Sequence, residues 1–176
     1  MGTPGKLGRF EQTVLPHLDA AHSLARWLTR NEHDAEDVVQ EAVLRAFRFF
    51  DTFQGGEARH WFLKIVRNTF YSWYDKNKRH ARTETLGDEA MDVPGNELTP
   101  DEVLVKEHSA RVVRAAIETL PLEFREVILL REFEGCSYKE IADIVDVPIG
   151  TVMSRLSRAR QQLKNRLGGD AAGAEA

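Results

Sequence analysis

Residues 137–167, SYKEIADIVDVPIGTVMSRLSRARQQLKNRL, decide how the rest of the chain is read. Ser137 and Glu140 stand three apart, the spacing at which each side chain satisfies the other's free backbone donor at a helix start. Ile141, Ile144 and Val145, with Ala142 beside them, recur on one face of that helix. Asp146 and Val147 make the turn, and Pro148 suits a first helical position because it has no backbone donor to waste. The second helix places Val152, Leu156, Ala159, Leu163 and Leu167 on one side. Arg155, Arg158, Arg160, Lys164 and Arg166 take the other, and no acid occurs from Pro148 to Leu167. This is the layout of a helix-turn-helix, whose second helix enters the major groove while its cations meet phosphates. The plainer alternative is a solvated basic helix in a bundle.

The chain has 176 residues and is 42% hydrophobic, enough to pack one or two domains. No apolar run approaches the roughly eighteen residues that span a bilayer. The opening MGTPGKLGRF has no apolar stretch, so no secretion signal is expected. Cys136 is the single cysteine; it excludes an internal disulfide, fits a reducing compartment and reads as a small apolar residue beside the helix-turn-helix core. The net charge of −4 hides a division. Residues 1–82 hold 13 basic and 10 acidic side chains, residues 83–110 hold one and eight, and residues 111–167 hold ten and eight. A DNA-binding chain need not be basic overall if its cations are localised.

Phe10, Val14, Leu18, Ala21, Leu24, Ala25 and Leu28 predict a first amphipathic helix that Pro16 bends. Asn31 to His33 make a break, after which Asp34 is placed to cap a helix running to Phe50, with acids crowding its first turn. A third helix, about Ala58 to Arg79, mixes Arg59, Lys64, Arg67, Lys76, Lys78 and Arg79 with Trp61, Phe62, Phe70, Tyr71, Trp73 and Tyr74. Cations interleaved with aromatics suit single-stranded or distorted nucleic acid, because phosphates need charge and unpaired bases need flat partners. For half of those aromatics the core reading is the better one. Trp61, Ile65 and Phe62 fall on the inner side with Asn68 and Thr69 near its edge, while Tyr71, Trp73 and Tyr74 are the candidates for exposure.

Residues 83–98 contain Gly87, Pro94, Gly95 and Asn96 without periodicity and predict a flexible acidic linker. Thr99, Pro100 and Glu102 restart helical structure, and Val103, Leu104, Val112, Val113, Ala116, Ile117 and Leu120 line the next helix. Pro121 begins another, with Val127, Ile128, Leu130 and Phe133, closed by Gly135. The expected fold is therefore all-α: two small helical domains, 1–82 and 99–167, joined by the linker, the second with the helix-turn-helix. The tail, 168–176, is expected to be disordered.

Three motifs, DAEDVVQEAVLRAF, WFLKIVRNTFYSWYDKNKR and LPLEFREVILLREFEGCSYKEIADIVDVPIGTVMSRLSRAR, together resemble an extracytoplasmic-function sigma factor of bacterial RNA polymerase over roughly residues 8–167. The resemblance implies two sigma-region domains and a role in transcription initiation, often in a stress response. It implies that Asp37, Gln40 and Glu41 dock on a coiled coil of the largest core-polymerase subunit; the residues themselves read only as a solvated acidic turn. The polymerase flap is the other surface it implies. Phe53, Gln54 and Gly55 match the loop that captures a base flipped from the minus-ten element, and Asn68 matches a polar residue near that pocket. Lys64, Arg67, Tyr71, Trp73, Lys76, Lys78 and Arg79 would hold the minus-ten strands. Thr151, Ser154, Arg155, Arg158 and Arg160 match the surface on the minus-thirty-five element. Met153 departs from the pattern, since many members carry Lys or Arg there and a thioether makes no bidentate contact to guanine.

The function that follows is non-enzymatic. The chain has no recognisable nucleophile motif or Gly-rich phosphate loop, its six histidines are scattered, and no metal, cofactor or small-molecule substrate is expected. Partners are core RNA polymerase, promoter DNA and an anti-sigma factor, in the cytoplasm or held at the inner membrane by a membrane-bound anti-sigma factor. Two rivals are a dimeric duplex-binding regulator and a decoy that binds only an anti-sigma factor. The basic-aromatic third helix speaks against the first, and cations kept in both domains against the second.

Overall fold

The computed structural model describes residues 2, 4–81 and 101–173, with side chains for residues 2, 4–78 and 108–168. All regular structure among them is helical. A first group contains α1 (Lys6–Val14), a 3-10 turn (Leu15–His17), α2 (Leu18–Thr29), α3 (Glu32–Arg48), a second 3-10 turn (Phe50–Thr52) and α4 (Ala58–Ala81). A second group contains α5 (Asp101–Glu118), α6 (Leu122–Ile128), a π turn (Leu129–Phe133), α7 (Tyr138–Val145) and α8 (Ile149–Gly173). The expected linker at 83–98 and the cap at Thr99 and Pro100 lie outside the described residues.

Pro16 cannot donate to the turn before it, so the amphipathic run from Phe10 to Leu28 splits into α1 and α2 across the 3-10 turn. Arg30, at φ 59°, ends α2 in the left-handed region. The cap of α3 is Asn31 rather than Asp34: the Asn31 side chain accepts from the Asp34 backbone N–H at 2.9 Å. Asparagine and aspartate cap about equally well, so the first of the two in the chain takes the place. Asp34 falls inside the first turn, where burial raises its carboxyl pKa.

α2, α3 and α4 pack on one another around Leu24, Leu28, Val38, Val39, Phe62, Leu63, Val66 and Phe70. Buried Ala21, Ala25, Ala35, Ala42 and Ala46 let these helices approach closely. α1 is pinned by Phe10, which meets Phe47 and Phe50 edge to face at 5.3 and 5.5 Å. The inner side of α4 differs from expectation. Trp61 and Ile65 are only half-buried, while Leu63, Val66 and Thr69 are fully inside with Phe62. α4 packs on α2 and α3 on one side and on α7 on another, and a helix buried from two directions shows no single apolar stripe.

In the second group Val152, Leu156 and Ala159 are buried, with α8 packed against α6 and α7. Leu163 and Leu167, further along, are half-buried. Both halves of the capping box form: Glu140 N–H donates to Ser137 Oγ at 3.1 Å and Ser137 N–H to Glu140 Oε1 at 3.0 Å. Asp146, at φ 57°, turns the chain. Pro148 stands one residue before α8, its carbonyl accepting from Thr151 and Val152. α8 runs on to Gly173, into the tail expected to be disordered; extending an existing helix needs no new nucleus, and Ala171 and Ala172 favour it. Val113 and Phe133, expected in the core, are exposed. For Phe133 the cause is the π turn, in which Glu134 N–H reaches back to the Leu129 carbonyl and Cys136 N–H to that of Leu130. The widened turn rotates Phe133 out of its own core.

The two groups pack together. Phe133 meets Trp27 of α2 at 5.2 Å between ring centroids. Arg114 of α5 lies over the other side of the seam, 4.9 Å from the Trp27 ring. Arg125 of α6 is buried and donates to the carbonyls of Trp27 and Leu28, at the end of α2 where helix carbonyls lack partners, and to that of Leu120.

Candidate nucleic-acid interface

α4 faces the second group with its cations, and the second group answers with acids. Arg67 forks onto Glu126 of α6, Nε to Oε2 at 3.0 Å and Nη2 to Oε1 at 3.2 Å. Tyr71 Oη adds a third donor to Oε2 at 3.1 Å, and the Arg67 guanidinium lies 4.1 Å from the Tyr71 ring centroid. Glu126 is 1% exposed, and all its acceptors that are filled are filled from α4. Arg59 pairs with Glu134 through both its carboxylate and its carbonyl. His60 Nε2 is 2.8 Å from Asp143 of α7, and Lys64 Nζ is 3.3 Å from the other oxygen of that carboxylate.

The electrostatics follow from burial and pairing. Burial alone would push the Arg67 pKa down, but the hydrogen bonds and charge of Glu126 outweigh it and leave it raised. Burial, followed by the Glu126 charge, drives the Tyr71 phenol well above its ordinary value. Burial would raise Asp143, yet the hydrogen bonds from His60 and Lys64 hold its carboxyl below the usual range. The Cys136 thiol, buried beside the helix-turn-helix, is pushed up to about 11 by desolvation, so it is no nucleophile at neutral pH.

The residues expected on the minus-ten element are therefore separated into three places. Lys64, Arg67 and Tyr71 are half-buried in the seam, with exposed Asn68 accepting from Arg67 at 3.4 Å. Phe53 is half-buried between Phe50 and Trp61, at 6.0 and 5.2 Å, while Gln54 and Gly55 beside it are exposed. Gly55 and Gly56, at φ 88° and 93°, give this loop a conformation that side chains rarely adopt. Lys76 and Lys78 are exposed toward the far end of α4, Lys78 near the Tyr74 ring, and Trp73 is half-buried against Phe70. The side chain of Arg79 lies outside the described residues.

Asp37, Gln40 and Glu41 are exposed along α3 with Leu44. Beside them a groove of about 560 Å³ is lined by Leu18, His22, Val39, Gln40, Val43 and Leu44. On α8, Ser154, Arg158 and Arg160 are exposed, and Thr151 and Arg155 half-buried. Arg160 reaches Glu132 at 3.2 Å and Arg155 stands 4.0 Å from Glu123.

Sequence reasoning missed the acids of the seam and their partner His60. A usable signal was present: Arg125 and Glu126 interrupt the apolar run from Phe124 to Leu130, and charges inside such a run need buried partners.

A helix-turn-helix with a cationic outer face, beside a second helix that is basic and aromatic, defines a helical nucleic-acid-binding protein. Comparison with known proteins gives its family. Residues 13–80 match the model for sigma-70 region 2 and residues 110–163 that for sigma-70 region 4. The chain is 35% identical over 151 residues to the ECF RNA polymerase sigma-E factor of Haemophilus influenzae, covering 82% of this chain and 79% of that protein. It is 34% identical over 166 residues to the ECF RNA polymerase sigma factor SigE of Mycolicibacterium smegmatis, covering 94% of this chain and 64% of the relative's length. The sigma factor RpoE solved with the anti-sigma factor NepR from Bartonella quintana superposes with a TM-score of 0.76 at 30% identity, over 91% of this chain and 97% of that one. CnrH, solved with the cytosolic domain of CnrY, gives 0.64 at 28% identity, over 92% and 88%. The chain belongs to the extracytoplasmic-function sigma factors of bacterial RNA polymerase.

Proposed function

We propose that the chain is an alternative sigma factor that docks on core RNA polymerase, directs it to its promoters and holds the melted minus-ten strand, without catalysing a step itself. The observation that carries the reading is the presence in one chain of two differently built basic helices. α8 follows the capped α7 in a helix-turn-helix and carries small residues that suit a duplex groove. α4 has the aromatics that suit unpaired bases.

Asp37, Gln40 and Glu41 form the polymerase surface, where the neighbouring apolar groove adds area that a coiled coil of the largest subunit can cover. The second domain meets the flap and sets Thr151, Ser154, Arg155, Arg158 and Arg160 on the minus-thirty-five duplex. Phe53, Gln54 and Gly55, with Asn68, take a flipped base whose unstacking costs roughly a few kcal/mol, repaid by the pocket and by backbone contacts from Lys64, Arg67, Lys76, Lys78 and Arg79. Glu126 and Asp143 occupy the partners that phosphates would otherwise be for Arg67 and Lys64. The seam must therefore open before α4 holds a strand. An anti-sigma factor controls the chain in the cytoplasm, either free or held at the inner membrane; the RpoE relative is solved with the anti-sigma factor NepR. No helix among the described residues is long and apolar enough to cross a membrane.

Run-off transcription with purified core polymerase, on DNA from upstream of the chain's own gene, tests this. The expected result is discrete transcripts that disappear with Asp37→Ala and Gln40→Ala. No transcript together with no co-migration of chain and core overturns the reading in favour of a duplex-binding regulator.

A further inference from the structure

The first turn of α8 carries an apolar pair on a surface that is otherwise polar or cationic. Ile149 and Met153 are four apart, so they share one side of the helix. Both side chains stand in solvent, 44% and 53% exposed. The next residue of that row, Ser157, is exposed, as is the adjacent row of Gly150, Ser154 and Arg158. A Cβ placed on Gly150, between the two rows, would meet nothing within 4 Å. Buried Val152 and Leu156 fix the rotation of the helix and with it the outward direction of the pair.

Within the fold this exposure gains nothing. In the major groove the apolar group that direct readout uses is the 5-methyl of thymine. Resting on the reading of α7 and α8 as the minus-thirty-five helix-turn-helix, we propose that Ile149 and Met153 are specificity determinants that pack on thymine methyl groups. A cation at position 153 would select guanine through O6 and N7; a thioether has no donor and cannot. Its flexible, polarisable chain instead follows a methyl group. The pair is exposed with the seam closed, so this contact needs no rearrangement of the two helical groups.

The test uses the complete chain assembled with core polymerase. Holoenzyme selects from a pool of duplexes randomised across the minus-thirty-five region, and each thymine of the winning duplex is then replaced by deoxyuridine, which lacks only the methyl. At least one replacement should weaken binding roughly fourfold, the worth of one buried methyl group. Met153→Ala should lose that sensitivity, Met153→Leu should keep it, and Met153→Arg should move the selected base at that position to guanine. The proposal is overturned if deoxyuridine is neutral at every position. It is overturned equally if the sensitivity persists undiminished in both Met153→Ala and Ile149→Ala. Enrichment of no duplex sequence at all would instead overturn the helix-turn-helix reading, and the proposal with it.

Discussion

α4 and α8 carry similar cations and meet opposite surroundings. In α4, Arg59, Lys64 and Arg67 are matched by Glu134, Asp143 and Glu126 of the other helical group. In α8, Arg158 is exposed, and Arg160 and Arg155 make pairs near the surface with Glu132 and Glu123. The difference lies in the acids: Glu126 and Glu134 facing α4 are buried, while Glu123 and Glu132 facing α8 are exposed. Arg67 and Glu126 form a forked pair in which the Glu126 carboxylate is buried and the Arg67 side chain keeps a partly exposed edge. Surface pairs like those of α8 are worth about 0–1 kcal/mol and give way to phosphate. Two rows of cations that look alike in a sequence thus differ in their partners: those of α4 meet acids of the other helical group, and those of α8 are exposed or meet exposed acids.

The sharpest way to break this contrast is Glu126→Ala. It takes the carboxylate away from both Arg67 and the Tyr71 hydroxyl and leaves Arg67 the 3.4 Å contact to Asn68, a loss of about 3–5 kcal/mol for a buried pair deprived of one partner. The radius of gyration by X-ray scattering should rise and binding of a single-stranded oligonucleotide should strengthen, while duplex binding through α8 stays unchanged. A variant as compact as the parent would end the idea that Glu126 holds the seam.

Ser137→Ala probes the other side. Losing the cap of α7 should cost about 1 kcal/mol and lower Tm by about 2–4 °C. Thermal unfolding and duplex affinity should both fall, with single-strand binding unaffected. Asp143→Asn should act in the same direction as Glu126→Ala but weakly, because the Asp143 side chain is 60% exposed. An effect as large as that of Glu126→Ala would show that the rim of the seam matters as much as its centre.

The smallest expected effect is one of pH. Asp143 has its carboxyl pKa held below 3.8 by His60 and Lys64. Its contribution to closure is therefore complete above that value and lost as pH falls through the lowered one. Scattering at pH 5 should match that at pH 7 in this respect, with loosening below about pH 3.8 that is reduced in Asp143→Asn. Loosening from Asp143 already at pH 5 would contradict the pairing with Lys64 and His60.

Much of this was legible because local rules coincide with the fold. The Ser137 and Glu140 box, the turn at Asp146 and the buried Val152, Leu156 and Ala159 follow from periodicity and capping within a short stretch. The break at Pro16 is equally local. The structure differs from these local rules where a neighbour distant in sequence intervenes. The periodicity of α4 predicts one inner face and the helix has two, since Asp143 of α7 meets Lys64 and Glu126 of α6 meets Arg67 on a second side. Phe133 left its core because the π turn offers it Trp27, more than a hundred positions away. Glu126 has no partner within its own helix; its acceptors are filled by Arg67 and Tyr71, more than fifty positions away.

By itself the sequence determined the helices, their caps and the two cationic faces, because backbone hydrogen bonding and apolar period act over a few residues. It also carried the family, since three motifs in order bring both regions with them. Only the tertiary structure decided which cations are available. That depends on which acids a separate set of helices brings to within about 3 Å, and a buried carboxylate such as Glu126 commits its partners in a way that no spacing along the chain encodes.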